Sequence, residues 1–434
     1  MRYLKTKLGI TLTPILFGLA LLVVLIIGWG YYHSKGKQSQ SKDEKVRLVL
    51  AINVSHRDRP FFVETVDAFM KKHPNIEVEI RNIAGVRYYQ KILIMMAGKV
   101  APDLMWMGQS FAEFAYKGAF LDITDRLKDI PYDEFLPQAL SWYRMNGRQY
   151  GVPYAIHMRI FAYNKKLFDE AGIPYPSDDW DFDEFLEITK NLTLDKDGDG
   201  QIDQYGFGGG LHRATFGAEI FSDDGQLALC NTPEMLNFFQ TRLDLAFKYK
   251  VQPTLELRNQ EGRIDRYVPF SQERYAIIDA GNGDRIVMLE KCADTDWDYV
   301  LCPKVKRHAQ WSSSAAIVIS ADTRHPDESW ELCKVFIGDK FQKSMALSGM
   351  PTNINAAEEV IAEHRGTPSN LKAVLKAYDF LYPTPRVPNL KELEAIYVDA
   401  EAKIMLRMAT PRDALDNAQR KMTLAIKKLN ERNR

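Results

Sequence analysis

The chain has 434 residues, too many for one ordinary domain, and its 57 basic and 57 acidic side chains leave no formal net charge. With no global field to draw it to a polyanion, nucleic acid is excluded as a partner, while 46% hydrophobic and 11% aromatic residues suffice for two packed cores. The four cysteines (Cys230, Cys292, Cys302, Cys333) form neither a CxxC nor a His-rich metal pattern; Cys292 and Cys302 either pair across a short loop or remain buried thiols.

Arg2, Lys5 and Lys7 precede an uncharged run over residues 8–32. It is long enough to span about 30 Å of hydrocarbon and longer than a signal-peptide core of about 7–15 residues. No small-x-small site ends it, and no cysteine follows that could accept lipid. The expectation is an uncleaved signal anchor with an exported body, against a cleaved signal or a buried core helix. Residues 33–45, HSKGKQSQSKDEK, read as a polar tether.

The folded body opens on VRLVLAI, residues 46–52, a buried-strand run. Phe62, Val66, Phe69 and Met70 follow at helical spacing until His73-Pro74, and residues 76–80 alternate as a second strand. Strand, helix, strand is the unit of an open α/β sheet. A helix over 88–97 leads to APDLMWMG, residues 101–108, where Asp103 is expected to order backbone beside a strand. Asn146-Gly147 predicts a turn, followed by strands at 150–156 and 159–163. The helix 165–171 then stops at Gly172 as its left-handed end residue, with Pro174 beyond. Helices are expected at 183–191 and 235–250. Residues 274–286 predict a strand, a glycine turn and a helix start, and a closing amphipathic helix at 411–430 completes the chain. There is no internal repeat.

The most specific local motif is LDKDGDGQIDQYGF, residues 194–207. Asp195, Asp197, Asp199, Gly200, Gln201 and Asp203 match positions 1, 3, 5, 6, 7 and 9 of a calcium loop. Gly206 stands where the bidentate glutamate belongs, so a further carboxylate would come from elsewhere, with Asp223 or Asp224 as candidates. Calcium and an ion-free solvated acidic turn both stay open. Catalytic signatures are missing: no GxSxG, HExxH, GxxxxGK[ST] or dinucleotide fingerprint occurs, FGGG at 207–210 lacks a following lysine, and nothing selects a carboxylate pair.

The string NGRQYGVPYAIHMRIFAYNKKLFDEAGIP, residues 146–174, resembles the segment of family 1 extracellular solute-binding proteins that crosses between lobes. The Pro-Asp strand at 101–108 is similar to the same family, and AGNGDRI resembles its Gly-x-Trp turn, with Gly283 in place of tryptophan. WDYVLCPKV resembles the strand before the second crossing, AAIVISADT the return, and SGMPTN the third crossing, so the likeness runs over 46–430. It implies an α/β, two-lobed periplasmic-binding-protein fold (type II-like), each lobe an open sheet flanked by helices, behind an N-terminal transmembrane helix. One lobe would hold 46–153 and 315–349, the other 154–314 and 350–434.

The resemblance further implies a monomeric, non-enzymatic protein on the periplasmic or extracellular face. It would capture a small carbohydrate by hinge closure and deliver it to ABC permease subunits, without a required cofactor. The alternative is a membrane-anchored sensor or interaction domain of the same fold without transport. Sugar binding needs aromatic faces and planar polar groups. The expected positions are Asn53, Ser55, His56 and Arg57 after the first strand, Gln109 after PDLMWM, Tyr154, His157 and Arg159 at the first crossing, Gln310, Trp311 and Ser312 at the second, and Met350 at the third. Tyr154 could equally pack in the hinge, and His157 or Arg159 could bond a carbonyl or pair with an acid. Trp106, Trp180 and Trp297 read as packing residues. Two arginines beside the cleft leave an anionic solute, a uronate or a sugar phosphate, open.

Overall fold

The β-rich runs assemble into a ten-stranded mixed sheet in a computed structural model that describes residues 45–432 apart from 86, 223–224, 261–264, 384–386 and 388–389. The expected anchor at 8–32, the tether up to residue 44, and Asp223 and Asp224 lie outside the described residues. Among the described residues no helix is long and apolar enough to cross a membrane.

Strands β1 (Val46–Ile52), β2 (Ile76–Asn82) and β3 (Leu104–Met107) are parallel, as helical crossovers require. The first crossover helix, Arg59–Lys72, begins with proline at its first turn and ends at His73. Asp103 orders backbone as expected: one carboxylate oxygen accepts the Val49 amide (2.9 Å) and the other the Thr323 hydroxyl (2.6 Å). Asn146 and Gly147, with φ of 52° and 78°, turn a small hairpin, β4 (Arg144–Met145) and β5 (Arg148–Gln149).

The next segment departs from expectation. Two strands are expected, at 150–156 and 159–163, but residues Gly151–Asn164 form one 14-residue strand, β6. Nothing between Ile156 and Arg159 turns the chain, and pairing carries on through it: Gly151–Met158 pairs with β10 (Gln310–Ile319), with one irregularity at Tyr154, and Arg159–Asn164 pairs with β8 (Tyr275–Gly281) and β9 (Trp297–Val300). The remaining strands are β7 (Tyr205–Phe207) beside β8, β11 (Met350–Pro351) on β6, and β12 (Leu381–Pro383) on β10. Sheet order is therefore β2-β1-β3-β10-β6-β8-β7, and β6 and β10 join its halves.

Gly172, with φ of 65°, ends the helix Lys165–Ala171 as predicted. The helix expected over 235–250 runs from Pro233, capped by the Thr232 hydroxyl, to Leu243 and continues as a π-helical turn, Asp244–Lys248.

Three apolar clusters pack the sheet. Phe62, Val66, Ile317, Trp330 and Phe336 belong to the cluster on one face of the β1 half. Phe161, Trp180, Phe185, Tyr397 and Leu415 fill the β7 half. Tyr88, Met105, Met158, Tyr299 and Met350 belong to a third that runs along the other face past both halves. Trp180 and Trp297 are 1% exposed, the packing role expected of them. Cys292 and Cys302 are free: Cys292 lies in the long cluster and Cys302 in that of the β7 half, so the pairing alternative is not realised.

Candidate functional site

At the joining strands the sheet carries polar side chains where an apolar core would be expected. Gln310 and Ser312 are 0% exposed and Ser314 is 6% exposed, at alternate positions of β10. Among the described residues, neither amide atom of Gln310 nor the hydroxyl of Ser312 or Ser314 has a hydrogen-bond partner. A buried unsatisfied polar group costs about 1–3 kcal/mol, so such groups mark where water or a solute completes the bonding. Asn282, 3% exposed, holds β6 in place here: its side-chain oxygen accepts the Met158 amide (2.7 Å) and its nitrogen donates to the Ile156 carbonyl (3.0 Å).

The β1 half supplies aromatic rings. Tyr89, at the start of the helix Tyr88–Ala97, and Trp106 of β3 have centroids 6.2 Å apart. Burial pushes the Tyr89 phenol up to about 12. The Trp106 indole donates to the Tyr154 hydroxyl (3.0 Å). Gly108 is needed beside them, because a Cβ there would stand 2.9 Å from the indole and 3.4 Å from the Tyr89 oxygen, with the Ser314 carbonyl at 3.5 Å. Trp106 packs against two of the apolar clusters, as expected of it, and keeps partial exposure. The Lys391 ammonium of the helix Leu390–Met405 lies 4.9 Å from the Tyr89 ring centre and reaches over from the other half.

The β7 half faces this with His212, Arg213 and Arg307. His212 caps the turn Arg213–Phe216 by accepting the Ala214 amide on Nδ1 (3.3 Å), and its ring lies 6.0 Å from Tyr382 of β12. The Arg307 guanidinium sits 5.5 Å from the same tyrosine ring and donates to the Ala214 carbonyl and to Glu219. Burial, and after it the positive charges of Arg213, Arg159 and Arg307, hold the His212 imidazole well below its ordinary range. Burial raises the Glu394 carboxyl against the opposing pull of Arg213 and Lys391. Tyr89, Asn282, His212, Arg213, Tyr382 and Glu394 were missed by sequence reasoning. Only the tyrosine pair at a helix start, and a histidine just after a run of glycines, offered a local signal.

The residues expected at the site scatter between wall, hinge and core. Arg57 forms a two-pronged ion pair with Glu290 and is half-buried, while His56 beside it is exposed. Asn53 is committed to the Gly85 amide (2.9 Å). Gln109 is exposed next to Gly108. Arg159 projects its Nη1 to 4.0 Å from Asp279 and 3.9 Å from Asp284, acids that Arg266 shares. His157 is wedged between glycines: a Cβ on Gly283 would meet its Nδ1 at 2.7 Å, and one on Gly349 its Cε1 at 2.9 Å. That packing accounts for glycine where the resemblance expected tryptophan. Burial depresses the His157 imidazole, opposed by Asp58, Asp284 and the Ser348 carbonyl. Two expectations are corrected. Tyr154, 2% exposed, packs edge-on against Phe62 and Phe341, and Met350, 1% exposed, lies in the long cluster. Alternation along β10 places Trp311, partly buried, on the face opposite Ser312.

In the acidic loop, carboxylate oxygens of Asp195, Asp197 and Asp203 converge within 4.8 Å of one another, all exposed. Asp199 is not part of that group; it accepts the Gln201 amide and side chain instead. Asp195 accepts the Gly198 and Gly200 amides and Asp203 the Lys196 amide, which fixes the turn through backbone bonds. A side chain at Gly206 is excluded, since its Cβ would lie 2.0 Å from the Thr189 carbonyl oxygen. No glutamate could stand there.

Two α/β halves joined by shared strands, with polar and aromatic groups gathered at the join, define a hinged binding protein. The sequence profile described as bacterial extracellular solute-binding protein matches residues 53–343, and the chain belongs to that family. A Brucella abortus relative is 23% identical over 400 residues, covering 88% of this chain and 94% of the relative. An arabinooligosaccharide-binding protein of Bacillus subtilis is 24% identical over 167 residues, 37% of either chain. Among solved structures, an ABC substrate-binding protein of Listeria monocytogenes in complex with cycloalternan superposes with a TM-score of 0.76 at 21% identity, over 88% of this chain and 99% of that one. The maltodextrin-binding domain of Bdellovibrio bacteriovorus bound to maltotriose gives 0.70 at 20% identity, over 88% and 100%. Each of these relatives is named as a binding protein or binding domain, and none as an enzyme.

Proposed function

We propose that the protein captures a saccharide between its two halves and hands it to the permease subunits of an ABC importer. The observation that carries this is the buried, unpartnered polar row Gln310, Ser312 and Ser314, whose Ser314 end lies by Gly108 and the rings of Tyr89 and Trp106. Sugars need both parts, since hydroxyls satisfy polar groups in the floor while the apolar ring faces lie on aromatic rings. Relatives named for arabinooligosaccharide, cycloalternan and maltotriose support the same class of solute.

On this reading residues 46–153 and 315–349 form one lobe and 154–314 and 350–434 the other, with β6, β10 and β11 as crossings. Ligand favours closure only through contacts made in the closed form. The uncharged run at 8–32 is read as a membrane anchor that holds the binding body on the outer face of the membrane, and the protein as a monomer. No cofactor is needed for capture. Calcium enters only as a weak ion at Asp195, Asp197 and Asp203. Calorimetry against a panel of neutral and acidic mono- and oligosaccharides tests the reading. Saturable binding of one saccharide class, lost in Trp106→Ala, supports it, and heatless titration of a folded sample across the whole panel refutes it.

A further inference from the structure

We infer that the captured saccharide carries an anionic oxygen group, a carboxylate or a phosphate, which docks on His212 between Arg159 and Arg307. The inference rests on the solute-capture reading and adds the chemical class of the solute. Its starting point is the tautomer. Because Nδ1 of His212 accepts the Ala214 amide, the neutral ring carries its proton on Nε2. That nitrogen is buried and has no partner among the described residues. The ring thus points a hydrogen-bond donor at a place the protein leaves without an acceptor.

Arg213, Arg159 and Arg307 all act on the ring. Arg307 is held by Glu219 (2.6 Å). Arg159 reaches its acids only at 3.9 and 4.0 Å, and Arg266 competes for both. The Arg159 Nη1 and the Arg213 Nε are both buried without a hydrogen-bond partner among the described residues. Glu394 is the carboxyl that feels Arg213, and burial disfavours its charged form. Tyr382 supplies a flat face alongside, with His212 and Arg307 against it.

A neutral hydroxyl would satisfy the Nε2 proton but leave the unpartnered guanidinium N–H groups of Arg159 and Arg213 untouched. An anionic oxygen meets both needs, and guanidinium groups favour carboxylate and phosphate alike.

The test is calorimetry of the intact protein with matched sugars: glucose, glucuronate and glucose 6-phosphate; galactose, galacturonate and galactose 6-phosphate; and the corresponding neutral and uronate disaccharides. An acidic member binding at least about tenfold tighter than its neutral partner supports the inference, and the acid that wins identifies carboxylate or phosphate as the source. A neutral member binding as tightly as its acidic partners overturns the inference while solute capture stands. If no member binds, both fail. Arg213→Gln is expected to cost the acidic ligand about tenfold more than a neutral ligand of the same panel; equal loss for both overturns the inference. Should that variant not fold, the wild-type salt dependence decides. Affinity for the acidic ligand should fall severalfold between about 20 and about 500 mM salt, and a flat response overturns the inference.

Discussion

Arg57 and Glu290 meet across the joining strands, Nε to Oε1 at 3.0 Å and Nη2 to Oε2 at 2.5 Å. Arg57 follows β1, and Glu290 lies in the helix Arg285–Lys291 after β8, on opposite sides of β10 and β6 in the sheet. Because the pair is solvent-exposed, its contribution is small and screened by salt. It ties the halves in the conformation described, so Glu290→Gln should shift the protein toward an opened form. Small-angle scattering without ligand would register a larger radius of gyration. Solute affinity should weaken by less than about fivefold, with the difference shrinking in high salt. An unchanged radius and affinity would remove the pair from the closure equilibrium.

His157 and Gly283 give a sharper test. A methyl group at Gly283 meets the His157 Nδ1 at 2.7 Å and the Ser348 carbonyl oxygen at 2.8 Å, and neither can retreat freely. Gly283→Ala should destabilise by about 1–3 kcal/mol, as overpacking does. Adding His157→Ala should recover part of the loss, because one of the two clashing groups is gone. Denaturant melts of the single and double variants measure the coupling, and strict additivity would show that the two positions do not compete for space.

The frame of the fold was legible because its signals are local. Proline at the start of a helix, Gly172 at the end of another, Asn146-Gly147 in a hairpin and alternation in β2 each act within a few residues. The site was legible only in part. Arg57, His157 and Arg159 lie beside the join, but Tyr154 and Met350 are enclosed by residues far away in sequence or on other strands, which no local pattern encodes. His212 and Tyr382, far apart in sequence, meet beside the pairing of β12 with β10, which no local pattern encodes. Whether a Trp-to-Gly departure opens a cleft or admits a histidine depends on what packs behind it, and that too is tertiary.

The free thiols allow a simple check. Cys292 lies against the Tyr267 carbonyl in one cluster and Cys302 against the Arg159 carbonyl in another, and burial raises both, Cys292 to about 11. Buried, protonated thiols are inert. The melting temperature should be the same with and without reductant, and mass spectrometry after alkylation under native conditions should find both unmodified. A drop in melting temperature on reduction would reveal a bond between them.

Calcium should bind the acidic loop weakly. Three exposed carboxylates converge there, but the place of the bidentate glutamate is closed by the contact of Gly206 with Thr189. A loop lacking that ligand belongs at the weak end of the range, with a dissociation constant of about 10⁻⁴–10⁻³ M. Millimolar calcium should raise the melting temperature slightly, and Asp195→Asn should abolish the rise. Calorimetry without heat up to millimolar calcium would leave the loop an ion-free turn.

Acid should loosen the site before it unfolds the rest of the protein. His157 and His212 both titrate below the ordinary value of 6.5 when folded: burial is the first cause for each, deepened at His212 by Arg213, Arg159 and Arg307 and opposed at His157 by Asp58 and Asp284. The unfolded chain protonates these rings near 6.5. Below that pH it binds more protons than the native form, so stability falls with falling pH. Their contribution is therefore whole above about pH 6.5 and is lost as pH drops through the folded values. Glu394 works in the opposite sense, because its raised carboxyl favours the native form at low pH and that contribution is lost as pH rises through its folded value. The net expectation is a melting temperature that declines between about pH 7.5 and about pH 5.5. His212→Asn keeps an acceptor for the Ala214 amide and removes the titration; combined with His157→Gln it should flatten the decline. A slope in the double variant as steep as in the wild type would assign the acid sensitivity to other groups.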